Sequence, residues 1–256
     1  MQYQNQHKGF LNNIPLIVKN LIIINALMLL ATELFKPFMV EQFALFYPTS
    51  PMFKSIQLFT HMFMHGGIWH LFFNMYALWI FGSVLEQYWG PKRFLTYYLI
   101  TGLGAAAFYL LVLWLQVMNI ESNIDPAIVS QMKAELQANG PEIYHSGRVS
   151  IIPGVSEMES WYGIMIIPML GASGAIYGVL LAFGMMFPNV CLQLLFPPIA
   201  MKAKWFVIIF GVIELTLGIS QMQGDNVAHF AHLGGMIFGF FMIRYWRKKG
   251  GNYPMY

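Results

Sequence analysis

Gly171-Ala172-Ser173-Gly174-Ala175-Ile176-Tyr177-Gly178 sets a serine between glycines at the head of an apolar run that Pro188 closes. The run, about 171–187, is one of six segments apolar enough to cross a bilayer, the others being about 15–35, 68–88, 94–117, 204–221 and 227–246. A span needs roughly 20 apolar residues, fewer where the helix is sheltered. Composition agrees: 57% of the 256 residues are hydrophobic and 10% charged, against about 25% charged in a soluble domain. Mean hydropathy is +0.56. These numbers predict an all-α polytopic membrane protein, one membrane domain over 1–256 with six transmembrane helices. The polar first fifteen residues lead into a long apolar run without a small-residue cleavage site, so the first span is read as retained.

Lys and Arg orient the spans. Ten fall on one side (Lys8, Lys19, Lys92, Arg93, Lys202, Lys204, Arg244, Arg247, Lys248 and Lys249) and four on the other (Lys36, Lys54, Lys133 and Arg148). The first side is expected to be cytoplasmic, with both termini on it, in a multi-pass protein of the cell membrane. The long outer loop, about 118–167, holds a helix signature. Asp125 caps it, Pro126 opens it, Asn139-Gly140 ends it, and Ile128, Met132 and Leu136 share a face. It is expected to lie on the outer leaflet or on the protein surface. The outer loop at 36–67 is unusually apolar and is expected to dip into the membrane interface.

Polar side chains inside spans are costly and mark functional sites. Ser173 sits at the outer end of the fourth span, His232 about a turn and a half into the sixth, and His70 and Asn74 in the first two turns of the second. These three spans run in the same direction, so the four side chains share one depth. Gly174, Gly178 and Ala182, and separately Gly235 and Gly239, are spaced by four. Such faces let helices approach closely. If spans four and six meet there, His232 can accept the Ser173 proton, which turns a hydroxyl into a nucleophile. His70 and Asn74, four apart on one face, and the Ser173 amide at a helix start would then donate to a developing oxyanion.

Other polar residues are less telling. His61 and His65 have a spacing compatible with a metal, but no third ligand is evident, and structural hydrogen bonding is the preferred reading. Glu86 reads as a hydrogen-bonding residue at a helix end. Glu214 lies mid-span in the fifth helix and is expected to be protonated or internally bonded. Nothing in the sequence demands an acidic partner for His232, and Asp225 lies too near the surface to orient it. No metal or other cofactor is expected. The single Cys191 rules out an intrachain disulfide. The small net charge of +3, with no basic stripe, gives no reason to expect nucleic acid.

Three signatures carry a family resemblance: His70-Leu71-Phe72-Phe73-Asn74, Gly171-Ala172-Ser173-Gly174 and Ala231-His232-Leu233-Gly234-Gly235. Together with His61, His65, the Gly82–Gly90 stretch containing Glu86, and the Gly235/Gly239 pair, they resemble the rhomboid intramembrane serine proteases. The resemblance implies a six-span bundle with a Ser–His dyad in a water-filled cavity open to the outer side, cleaving transmembrane substrates near the membrane surface. It matches Ser173 to the nucleophile, His232 to the general base and acid, and His70, Asn74 and the Ser173 amide to the oxyanion donors. Tyr177 matches the aromatic residue packed on the imidazole. His229 competes with His232, but the family histidine directly precedes Leu-Gly-Gly. Two features depart from the pattern. The Trp-Arg pair that some bacterial members carry in the first outer loop is absent, and the 118–167 loop is long. Both bear on substrate entry and regulation.

The expected partners are transmembrane protein substrates and the lipid bilayer; the sequence does not speak to oligomeric state. A non-catalytic rhomboid-like binder is the alternative, yet such relatives lose the dyad that is present here. A transporter is disfavoured because the polar residues cluster at one face and no paired broken-helix repeat marks the midplane.

Overall fold

The computed structural model describes residues 14–147, 157–193, 199–220 and 229–249. The chain opens with α1 (Leu16–Leu34), α2 (Lys36–Phe43) and α3 (Gln57–Thr60), the last running into a 3-10 turn at His61–Phe63. α4 (Ile68–Ala77) and α5 (Ser83–Trp89) form one continuous helix through a π-helical turn at Leu78–Gly82. Then come α6 (Pro91–Ser122), α7 (Pro126–Ser146), α8 (Glu157–Ile166) and α9 (Ser173–Met186). A short antiparallel pair, β1 (Cys191–Gln193) and β2 (Ala200–Lys202), leads to α10 (Ala203–Ser220) and α11 (His229–Lys248).

Four described helices are long and apolar enough to cross a membrane: Leu16–Leu34, Ile68–Trp89, Pro91–Ser122 and Ala203–Ser220. Their outer faces carry exposed Leu16, Leu27, Ile208, Val212 and Ile219, a surface suited to lipid and not to water. The architecture is that of an all-α polytopic membrane protein. α6, at 32 residues, is longer than the 94–117 expected; at 1.5 Å per residue it reaches about 48 Å, beyond any hydrocarbon core.

α9 is only 14 residues long because it lies inside the bundle, with ten of them buried on every side. Its glycines admit three neighbours. A Cβ at Gly178 would stand 2.7 Å from Thr101 Cβ, and Gly174 abuts Ala105, both on α6. Gly184 faces Val207 of α10, where a Cβ would come within 2.7 Å of Cγ2. On α11, a side chain at Gly235 would collide with the Gly174 carbonyl, while Gly239 faces the Tyr97 hydroxyl of α6. The expected contact of spans four and six is present, and it is made at Gly174–Gly235, where α9 and α11 meet; Gly178 and Gly239 face Thr101 and Tyr97 of α6 instead of each other. Spacing by four names a close approach without naming the partner.

One loop expectation also changes. α7 starts as expected, with Asp125 Oδ1 accepting from Ala127 N at 2.7 Å. It does not stop at Gly140. It continues through Pro141 to Gly147, whose φ of 65° ends it. Gly140 is there because it packs on Pro51, a close approach and not a stop signal. Val129, Met132, Leu136 and Ile143 of α7 build a second core with Met158, Trp161, Tyr162 and Met165 of α8 and Tyr47, so this helix lies on protein. The 36–67 loop is likewise partly core: Leu45, Phe46 and Met64 are buried. Buried Gln57 ties it together, donating to Glu41 O and Met52 O and accepting from Lys54 N and Phe46 N.

Glu86 fills the helix-end role expected of it, for another helix. Its carboxylate accepts from Ile17 N at 2.9 Å and Val18 N at 2.8 Å. Pro15, the N-cap residue of α1, offers no side-chain cap, so Glu86 satisfies the orphan amides instead.

Candidate active site

The segment before Ser173 is pinned at two points. Leu45 and Met169 exchange backbone hydrogen bonds at 2.9 and 2.8 Å, and Gly171 N donates to His61 O at 3.0 Å. Gly171 has φ 134°, a conformation that side chains rarely adopt. The chain turns there and enters α9 directly at Ser173. His61 thus serves through its backbone, while its Nδ1 lies 2.8 Å from Gln57 O. Burial holds the His61 imidazole neutral, its pKa lowered to about 4, and lowers that of His65 to about 3, with the neighbouring His70 adding to the effect. The rings of His65 and His70 meet edge to face at 5.0 Å.

Across the bundle, His232 Nε2 of α11 lies 2.8 Å from Ser173 Oγ. The Tyr177 ring, one turn after the serine, stacks on His232 with centroids 4.2 Å apart and planes 5° from parallel. His229 is directed elsewhere: its Nδ1 is 2.6 Å from Glu214 Oε2. The same Glu214 oxygen lies 2.8 Å from His232 Nδ1, and the Tyr177 hydroxyl donates to Oε1. The histidine that contacts the serine therefore has an acidic neighbour that the sequence did not demand, and Glu214 is internally bonded. Asp225 lies outside the described residues. Glu214 is the residue that sequence reasoning missed. Its signal was a carboxylate in the middle of a span, but periodicity does not give the rotation of α10 about its axis.

His70, Asn74, Gly171, Ser173, Gly174, Tyr177 and His232 all line one cavity of about 1000 Å³. Phe73, Phe206 and Phe210 give it an apolar wall. Gly66 N donates to His70 Nδ1 at 3.3 Å, so Nδ1 accepts and Nε2 carries the proton. A Cβ on Gly171 would fall 3.1 Å from His70 Nε2 and 3.5 Å from Ser173 Oγ. The bare glycine thus leaves open the space between a hydrogen-bond donor and the serine. Asn74 Nδ2 donates to His70 O at 2.8 Å; its second amide hydrogen remains for another acceptor. Gly235 and Gly239 stand outside the cavity lining and act through helix packing.

A partly buried Ser–His pair from two apolar helices thus faces a cavity within an all-α polytopic membrane bundle. The family model for the rhomboid domain matches residues 52–120 and 141–249. The chain belongs to the rhomboid family. It is 28% identical over 222 residues to RHOMBOID-like protein 12, mitochondrial, of Arabidopsis thaliana, covering 86% of this chain and 55% of that protein. It is 26% identical over 186 residues to Rhomboid protein 1, mitochondrial, of Saccharomyces cerevisiae, covering 73% of this chain and 40% of that one. The chain spans about half the length of the curated relatives it matches.

Proposed function

We propose that this chain is an intramembrane serine endopeptidase that cleaves transmembrane segments. The observation that carries the reading is the 2.8 Å contact between Ser173 Oγ and His232 Nε2 at the wall of the cavity. A substrate segment enters the cavity and unwinds, because a helix hides its carbonyls in its own hydrogen bonds; weak helix formers in the substrate ease this step. Ser173 Oγ attacks the exposed carbonyl carbon while His232 Nε2 takes its proton. The oxyanion forms in the space beside Gly171. There it accepts from His70 Nε2–H, the Asn74 amide and the Ser173 backbone amide. His232 returns the proton to the leaving amine, and water then hydrolyses the acyl-enzyme. The presence of both members of the pair supports an enzyme over a non-catalytic binder.

The six-span arrangement is part of this proposal: α1, the α4–α5 helix, α6, α9, α10 and α11 cross the bilayer. The proposed compartment is the cell membrane, with both termini in the cytoplasm and the cavity toward the outer side, following the Lys and Arg distribution. Two relatives are mitochondrial by name, so membrane fractionation is the first check on compartment.

Purified protein in detergent is expected to cleave a transmembrane reporter, and Ser173→Ala to abolish cleavage. Equal cleavage by both proteins would overturn the proposal.

A further inference from the structure

We propose that Glu214 is a positioning residue for His232, so that the reacting group is a Ser173–His232–Glu214 triad and not a bare pair. The proposal rests on the protease reading above.

The imidazole of His232 is held at both ends. Nε2 lies 2.8 Å from Ser173 Oγ, and Nδ1 lies 2.8 Å from Glu214 Oε2. An ionised carboxylate only accepts hydrogen bonds. Nδ1 must then carry the ring's proton, which leaves the Nε2 lone pair facing the serine. That is the one neutral tautomer able to act as base. With the proton on Nε2 instead, the ring could only donate to Oγ.

The carboxylate is itself held. Glu214 is 6% exposed and receives donors at both oxygens: the Tyr177 hydroxyl at Oε1, and the two imidazole Nδ1–H groups of His232 and His229 at Oε2. A buried charge is tolerated when its lone pairs are filled in this way. Tyr177 fixes both partners at once, since its ring also covers the His232 face. His229 thereby has a role other than rival base, as the second donor on the shared oxygen.

The step balances without moving a proton to Glu214. The Oγ–carbon bond forms as the Oγ–H proton passes to Nε2, and the carbonyl electron pair moves to oxygen. The imidazolium that results faces the carboxylate at hydrogen-bond distance, where the charge pair is stabilised in a water-poor setting. The proton then leaves with the amine.

The same three side chains could be read as a metal site. Their spacing argues otherwise. Donor atoms on a tetrahedral zinc ion, each about 2.0 Å from it, stand about 3.3 Å apart. Here the nitrogens lie 2.6 and 2.8 Å from the one oxygen, the distance of a charge-assisted hydrogen bond.

The test compares wild type, Glu214→Gln and Ser173→Ala in detergent. Three quantities are read: kcat and KM on a transmembrane reporter, the rate at which a fluorophosphonate labels Ser173, and the His232 tautomer from NMR of isotope-labelled histidine. Gln keeps the shape and removes the charge. The expected kcat loss is about 10²–10⁴-fold, with KM unchanged and the labelling rate reduced by the same factor. In wild type, neutral His232 is expected to be protonated on Nδ1. Should Glu214→Gln fail to fold, the wild-type tautomer decides alone, and a proton on Nε2 would overturn the proposal. Full kcat in Glu214→Gln beside an inactive Ser173→Ala would remove Glu214 and leave the protease reading standing. Activity in Ser173→Ala would remove both. One tightly bound zinc per purified chain, with activity lost to a chelator, would replace the triad with a metal site.

Discussion

Gly171 carries two constraints at one position. Its φ of 134° excludes ordinary side chains, and its missing Cβ leaves the space between His70 Nε2 and Ser173 Oγ open. Gly171→Ala is therefore expected to cost about 1–3 kcal/mol in stability from the backbone alone. It should also lower kcat by at least about 10²-fold, as loss of oxyanion donors does. Thermal unfolding and reporter kinetics on the same preparation separate the two effects. Tyr177 splits differently. Tyr177→Phe keeps the ring on His232 and removes one donor to Glu214, a change of about 1.5–3 kcal/mol for a buried hydrogen bond to a charged group. Tyr177→Ala also removes the stack. Activity is expected to fall in the order wild type, Phe, Ala; equal rates for Phe and Ala would mean that the stack does no positioning.

At the scale of elements, much was legible in the sequence. The apolar runs, the Pro and Gly breaks between them and the common direction of alternate spans foretell that Ser173 and His232 can meet. Hydrophobicity and chain reversal are local properties, readable without coordinates. What was not legible is rotation and partner choice. Gly174 and Gly178 announce a close approach, but only the fold shows that Ala105 and Thr101 of α6 supply most of it. Glu214 was visible as an oddity; its aim at His232 depends on how α10 is turned. Asn139-Gly140 looked like a helix end, yet Gly140 packs on Pro51 and α7 runs onward to Ser146.

Two element-level predictions follow from these contacts. Gly235→Ala places a methyl against the Gly174 backbone, which cannot rotate away. It is expected to destabilise the protein by about 3 kcal/mol or more, at the upper end of overpacking. Glu86→Ala leaves the first amides of α1 without a cap and should cost about 1–2 kcal/mol. Glu86→Gln should recover part of this, because it still offers an acceptor. Denaturation in detergent, read by helix content, checks both.

On the scale of the molecule, the bundle surrounds α9 with other helices and turns apolar side chains of α1 and α10 outward. The buried site is thus built in the protein interior while the periphery suits lipid. The loop core beneath the site adds a pH dependence. His61 and His65 titrate near 4 and 3 when folded, against 6.5 for the unperturbed group. Between those values the unfolded chain binds protons that the native state refuses, so stability falls as pH is lowered through about 6.5 and continues to fall toward about 4. The loss is on the order of 1–2 kcal/mol per histidine between about pH 7 and about pH 5. The unfolding midpoint of the Ser173→Ala protein, which cannot digest itself under the proposed mechanism, should drop over that interval. Replacement of His61 by Asn should flatten the slope.

The central claim is that Ser173 is a nucleophile made reactive by His232. Peptide mass spectrometry after treatment of the detergent-solubilised protein with a fluorophosphonate tests it most directly. The account predicts one adduct per chain, on Ser173, present in wild type and absent in His232→Ala. An unmodified Ser173 in protein that still cleaves the reporter, or an adduct that persists at full rate without His232, would contradict it.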